Sequence, residues 1–198
     1  MTESRTEPPP APPKDFRLTV PDGWFRIVLD PALWPRQINA LVDQQFRGID
    51  SLPTLRRQLC EQLTVQASAA HAKGGIALYL SVRPIGDMAL PAGMVATVVP
   101  PHSAVPLEEY ALTLAAAGES IRLIDTKAGP ALCHRYLQNT DPDTAYGAAI
   151  PTVHFDVHVA VPATESQLLL SFSSPIAALA DMLSELFEAV ASTLQWLI

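Results

Sequence analysis

The feature that most constrains this chain lies at its end, where residues 166–198 read as a buried strand running directly into a long amphipathic helix. The strand is the Leu-rich run 167–172, and Ser174 followed by Pro175 supplies an N-cap and a first helical residue whose missing N–H costs nothing. From there Ile176, Leu179, Leu183, Leu186, Val190, Leu194 and Leu197 recur three or four residues apart, with Met182, Phe187 and Trp196 widening the stripe. Asp181, Ser184, Glu185, Glu188, Ser192 and Gln195 take the other side. A stripe that wide must cover a sheet or another chain, and a sheet is the default.

The rest of the sequence supplies that sheet. Residues 16–20 alternate apolar and polar, Pro21-Asp22-Gly23 makes a turn, and residues 24–29 continue as a second strand, which predicts a hairpin. A moderate helical pattern spans 31–46. A stronger helix over 52–70, capped by Asp50 or Ser51, carries Leu52, Leu55, Leu59 and Leu63 on one stripe and stops at Gly74-Gly75. The period then changes to two, with strands over 76–83 and 94–99, a short helix over 106–117, and strands over 120–126 and 131–138. After a polar loop, 139–149, the strand 152–161 shows Val153, Phe155, Val157, Val159 and Val161 on one face, with His154, Asp156, His158 and Ala160 on the other. Consecutive strands joined by short turns, with helices at the ends and middle, predict an α+β domain. Its largely antiparallel sheet is flanked by helices on both faces, as an α/β/α sandwich.

Composition narrows the class. A length of 198 residues suits one domain, residues 15–198. Residues 1–14 are proline-rich and too poor in apolar side chains to offset their ordering entropy, so a disordered tail is expected there. A net charge of −7 argues against a nucleic-acid backbone or an anionic membrane as partner. There is no apolar signal region and no run of roughly 18 apolar residues, so a cytoplasmic chain without a membrane span is expected. Cys60 and Cys133 are expected to be free thiols. Hydrophobic residues make up 48% of the chain and charged ones 17%, which leaves apolar surface for a partner.

Two pieces resemble a known family. The opening Phe16-Arg17-Leu18-Thr19-Val20-Pro21-Asp22-Gly23-Trp24, a strand and a Pro-x-Gly-Trp turn, resembles the first strand of Mog1/PsbP-like domains, including bacterial members from actinobacteria. The closing Leu168-Leu169-Leu170-Ser171-Phe172-Ser173-Ser174-Pro175, with the helix to Trp196, resembles their last strand and helix. The resemblance implies an antiparallel sheet sandwiched by helices and non-enzymatic roles in protein binding or assembly, with occasional metal association. It carries over no functional residue.

Candidate chemistry is confined to one cluster. His154, Asp156 and His158 lie two apart on a strand, so their Cβ atoms point one way at roughly 7 Å spacing, which could frame a metal ion. The alternative is the plain polar side of an antiparallel strand. His134 and Tyr136 join this face only if the strands flanking the loop 139–149 pair in the right register. Cys133 and His134 are adjacent and point to opposite faces, and Cys60 and His71 lie roughly 16 Å apart along one helix. Neither makes a nucleophile and base. No G-x-S-x-G, phosphate loop, dinucleotide fingerprint or C-x-x-C occurs.

The expected function is therefore a non-catalytic protein-interaction, adaptor or assembly module of the bacterial cytoplasm, with a protein partner and no cofactor. The alternative is a metal-binding protein or metal-dependent enzyme using His154, Asp156 and His158. A protein interface is expected on the terminal stripe at Leu183, Phe187, Leu194 and Trp196. A homodimer closed through that stripe and a monomer whose sheet takes both helices are both open.

Overall fold

Alternating apolar runs need a partner on each side, and in the computed structural model they find one another in a single antiparallel sheet. The structure describes residues 11–48, 52–81, 91–139 and 149–198. In chain order the elements are β1 (Asp15–Arg17), β2 (Trp24–Val28), α1 (Trp34–Gln45), α2 (Pro53–Ala72), β3 (Gly75–Ser81), β4 (Gly93–Val99) and α3 (Leu107–Ala116). They continue with β5 (Ser120–Thr126), β6 (Gly129–Asn139), β7 (Pro151–Ala160), β8 (Gln167–Ser174), α4 (Ala180–Ser192) and β9 (Gln195–Leu197). The main sheet runs β2-β3-β4-β8-β7-β6-β5, and β1 pairs with β9 apart from it.

Both faces of the sheet are covered. On one, Met94, Val157, Leu170 and Phe172 meet α4 through Leu183, Phe187 and Val190. Phe187 stacks on Phe172 with ring centroids 4.8 Å apart, and Phe155 closes the group, edge-on to Phe172 at 6.4 Å and tilted to Phe187 at 6.3 Å. On the other face Ile27, Leu29 and Leu78 lie under Trp34, Ile38, Leu41 and Val42 of α1 and Leu63 and Ala67 of α2. Gly74, at φ +84°, turns the chain from α2 into β3. At Gly75 a Cβ would sit 2.8 Å from the Ala70 carbonyl oxygen. The result is the α/β/α arrangement expected from the sequence and implied by the resemblance.

Four expectations change. Phe16 pairs with Trp196 in β9 and not with the strand after Gly23, so β1 and β2 form no hairpin. Alternation says which side chains share a face, not which strand receives them. The terminal helix ends at Ser192, and residues 195–197 become a strand, because β1 offers main-chain partners that a fraying helix end lacks: Lys14 N–H donates to the Leu197 carbonyl at 2.8 Å. Ser174 stays in β8 and donates its hydroxyl to the Pro91 carbonyl at 2.8 Å, so α4 starts at Ala180, after one short 3₁₀ turn at Ala177–Leu179. Finally, Leu52 and Leu55 are 45% and 50% exposed, and α2 packs through Leu63 and Ala67 instead. The expected cap at Asp50 or Ser51, most of the loop 139–149 and residues 1–10 of the tail lie outside the described residues. Cys60 and Cys133 are free thiols, and burial pushes Cys133 up to about 12, with Glu188 adding and Arg122 opposing.

Candidate functional site: a polar row and an open sheet edge

Strand register settles what the sequence left open. The β6–β7 pairing places Tyr136 opposite His154 and His134 opposite Asp156, and the β7–β8 pairing places Ser171 opposite Asp156. The Tyr136 ring stacks on His154 at 4.9 Å and on His134 at 4.8 Å between centroids. Its hydroxyl donates to Asp156 Oδ2 at 3.2 Å, while Ser171 Oγ donates to Asp156 Oδ1 at 2.7 Å. At the far side His134 Nε2 lies 3.3 Å from Glu119 Oε2. Helix α3 lies over the row through Tyr110, whose ring meets His158 at 4.8 Å. The sequence pointed to His154, Asp156 and His158; Ser171 joins them through strand pairing, Tyr110 through the packing of α3 over the sheet and Glu119 from the turn before β5, and one strand carries no signal for any of these.

Burial dominates the electrostatics of this row. It lowers His154 and His158 below the usual imidazole value, with Asp156 opposing in both cases, so both rings are neutral at pH 7. Among the described residues no group meets the His158 ring nitrogens at hydrogen-bond geometry. The Gln167 amide, a weaker polar neighbour of that ring, donates to the Val105 carbonyl. Tyr136 is raised by burial first, then by the Asp156 charge and hydrogen bond.

The three sequence candidates do share a face, yet each has its own partner. Asp156 accepts two hydroxyls, His154 stacks on Tyr136, and His158 packs on Tyr110. Among the described residues no group of three or more His, Cys, Asp or Glu side chains comes together as a metal site would. Ser171 has a carboxylate as its acceptor and no imidazole, so it lacks the base that activates a serine nucleophile. Beside Ser171 and Ser173 a groove of about 670 Å³ opens toward Lys73 and Gln66 of α2.

The expected protein interface is corrected. Leu183, Phe187 and Leu194 are 1%, 0% and 0% exposed, because the α4 stripe and the turn after it face the sheet of their own chain. Trp196 is partly buried in β9 and its indole N–H donates to the Ala128 carbonyl at 3.1 Å. Of the stripe, Met182 is left outside, 58% exposed.

Exposed apolar side chains are spread over several elements, Val65 of α2 at 68% among them, and two of the most exposed lie at the β5 end of the sheet. The two edges differ. On β2 the Val28 N–H is taken by Gln37 Oε1 of α1 at 2.7 Å, which blunts that edge. On β5 the seven residues Ser120–Thr126 pair with β6 without a register shift, contain no proline, and have no strand on their outer side among the described residues. Leu123 on this strand is 73% exposed, and Leu112 on neighbouring α3 is 72% exposed. On its α4 side β5 borders a groove of about 540 Å³ lined by Arg122, Arg135, Asp181 and Glu185. Arg122 pairs with Glu188 and Arg135 with Asp181; among the described residues no cation pairs with Asp125 or Glu185.

Fold and site together define an α+β module in which the described residues form a seven-stranded antiparallel sheet, a polar row centred on Asp156, and a β5 edge with no further described strand beside it. No family model matches the sequence, and no curated protein matches it. Among solved structures the chain is similar to LpqN of Mycobacterium tuberculosis, described as involved in cell envelope biogenesis. That likeness has 9% identity and a TM-score of 0.47 over 92% of this chain and 83% of that one. It is also similar to a mutant of the protein Mog1, at 11% identity and a TM-score of 0.39 over 61% of this chain and 79% of that one. Identities this low attach no function to the chain. Among the described residues no helix is long and apolar enough to cross a membrane.

Proposed function

We propose that this chain is a non-catalytic protein-binding module, an adaptor or assembly factor of the bacterial cytoplasm, whose partner docks at the β5 edge. The observation that supports this reading is the contrast between the two sheet edges: β2 is blunted by Gln37, whereas β5 is unbulged and carries a 73% exposed Leu123. An open edge with an apolar side chain is a template for another chain, and β5 carries neither the proline nor the bulge that closes such edges, while Arg122, one of its two charges, is held by Glu188. The polar row fits the same reading, since its hydroxyls and carboxylate satisfy one another and hold the sheet in register.

Site-specific photocrosslinking in the native cell tests the proposal. A photoreactive residue at position 123 should capture a discrete protein, and the same residue at Val65 of α2, 68% exposed on a helix that packs at the β2–β3 end of the sheet, should not. No product at position 123, or the same products from both positions, refutes a partner at this edge.

A further inference from the structure

We infer that the partner segment joins the sheet as an eighth strand beside β5, extended, with apolar residues interspersed with Lys or Arg; this rests on the reading of the β5 edge as the docking surface.

The main chain makes the first part of the case. Every residue from Ser120 to Thr126 is paired on the β6 side, so the alternate N–H and C=O groups that point away from β6 are aligned for one more strand. Of the devices that stop such addition, lysine, proline and a register shift are absent over these seven residues, whose two charged side chains are Arg122, tied to Glu188, and Asp125. A side chain added on the α3 face of the sheet would lie beside Ile121 and Leu123. Leu123 already continues a cross-strand row through buried Leu132 to His158, so an apolar neighbour would extend that row by one position.

Charge decides the rest. Carboxylates outnumber cations around the edge, with Asp181, Glu185 and Glu188 along α4 facing only Arg122 and Arg135. Asp125, on the strand itself, has no cationic partner among the described residues. A basic segment supplies the missing partners and is drawn in by the net charge of −7, whereas a second copy of this chain is repelled by it. Antiparallel self-pairing centred on Leu123 would put Asp125 opposite Ile121, and centred on Ile124 would put it opposite Leu123. Neither register pairs the carboxylate.

Fluorescence anisotropy with short labelled peptides tests this on the full chain. One peptide alternates Val or Leu with Lys, a second replaces each Lys by Glu, and a third is the Lys peptide N-methylated at alternate backbone nitrogens, which removes its main-chain donors. The Lys peptide should bind and weaken with added salt; the Glu peptide and the N-methylated peptide should bind at least about tenfold more weakly. Leu123→Lys, at an exposed position, should reduce binding of the Lys peptide about tenfold or more with an unchanged melting temperature, and Asp125→Lys with Glu185→Lys should do the same. Equal binding of the Lys and Glu peptides, unchanged binding of the N-methylated peptide, or no binding of the Lys peptide overturns the inference. A dimer in light scattering that Leu123→Lys converts to monomer overturns it too, by assigning the edge to a second copy. If the peptides fail while the crosslink at position 123 succeeds, only strand addition falls; if both fail, so does the protein-binding reading.

Discussion

Replacing Phe187 with Ala asks directly where the apolar stripe of α4 is spent. The side chain is 0% exposed, stacks on Phe172 at 4.8 Å and contacts Phe155 at 6.3 Å between centroids. Truncating a fully buried phenylalanine costs about 3–5 kcal/mol, of which a lost aromatic pair accounts for about 0.5–1.5 kcal/mol. For a chain of this length each kcal/mol lowers Tm by about 2–4 °C, so the variant should melt roughly 6–20 °C below the parent. Calorimetry gives the shift, and light scattering at the same concentrations gives the mass. A core residue changes the first and leaves the second alone. Met182→Lys, at a position 58% exposed on the same helix, serves as the control and should stay within about 0.5 kcal/mol. A Phe187→Ala protein that melts within about 2 °C of the parent, or that keeps its fold while losing a partner subunit, would refute the packing described for α4.

The other predictions concern the polar row and the N-terminus. The unfolded chain protonates His158 near the ordinary value of 6.5, while the buried ring, facing Asp156, Gln167, His134 and Tyr110, protonates only lower. Stability is therefore undiminished above 6.5 and is lost as pH falls through and below it, and His158→Gln should flatten Tm against pH between roughly 7 and 5; an unchanged slope would show that another group sets it. Because Asp156 is engaged by Tyr136 and Ser171, equilibrium dialysis against zinc should show no stoichiometric site that depends on His154 and His158. Stoichiometric zinc that disappears in the His154→Ala, His158→Ala variant would restore the metal reading. Deleting residues 1–10 should leave Tm within about 2 °C, whereas deleting 1–17 removes β1 with Phe16, only 3% exposed, and should lower it by several times that amount. Equal melting of the two truncations would mean that the β1–β9 pair contributes nothing.

Much of the sheet was legible because burial leaves a local trace. The alternation of Val153, Phe155, Val157 and Val159 against His154, Asp156 and His158 states a half-buried strand outright, and the structure buries the first set at 0–2% exposure. The stripe from Leu183 through Phe187 to Val190 likewise announced a helix on a sheet, which is what α4 is. Two-faced cover, helix stops at glycine and an α+β class follow from the same periodicities.

Pairing leaves no such trace, since a strand's period is the same whichever neighbour it takes and a local pattern contains no term for a residue far away in sequence. Tertiary structure alone decided that Phe16 meets Trp196, that the helix yields to a strand at Gln195, and that Leu183, Phe187 and Leu194 turn inward to their own sheet. It also brought Tyr136 and Ser171 onto Asp156, so that the carboxylate between the two histidines accepts two hydroxyls. The open edge belongs to the same category: Ser120–Thr126 reads as an ordinary strand, and only the sheet order shows that no described strand lies beyond it. Sequence periodicity records which face of an element meets the core; which element stands at the rim depends on contacts between distant segments, and those are settled when the whole chain packs.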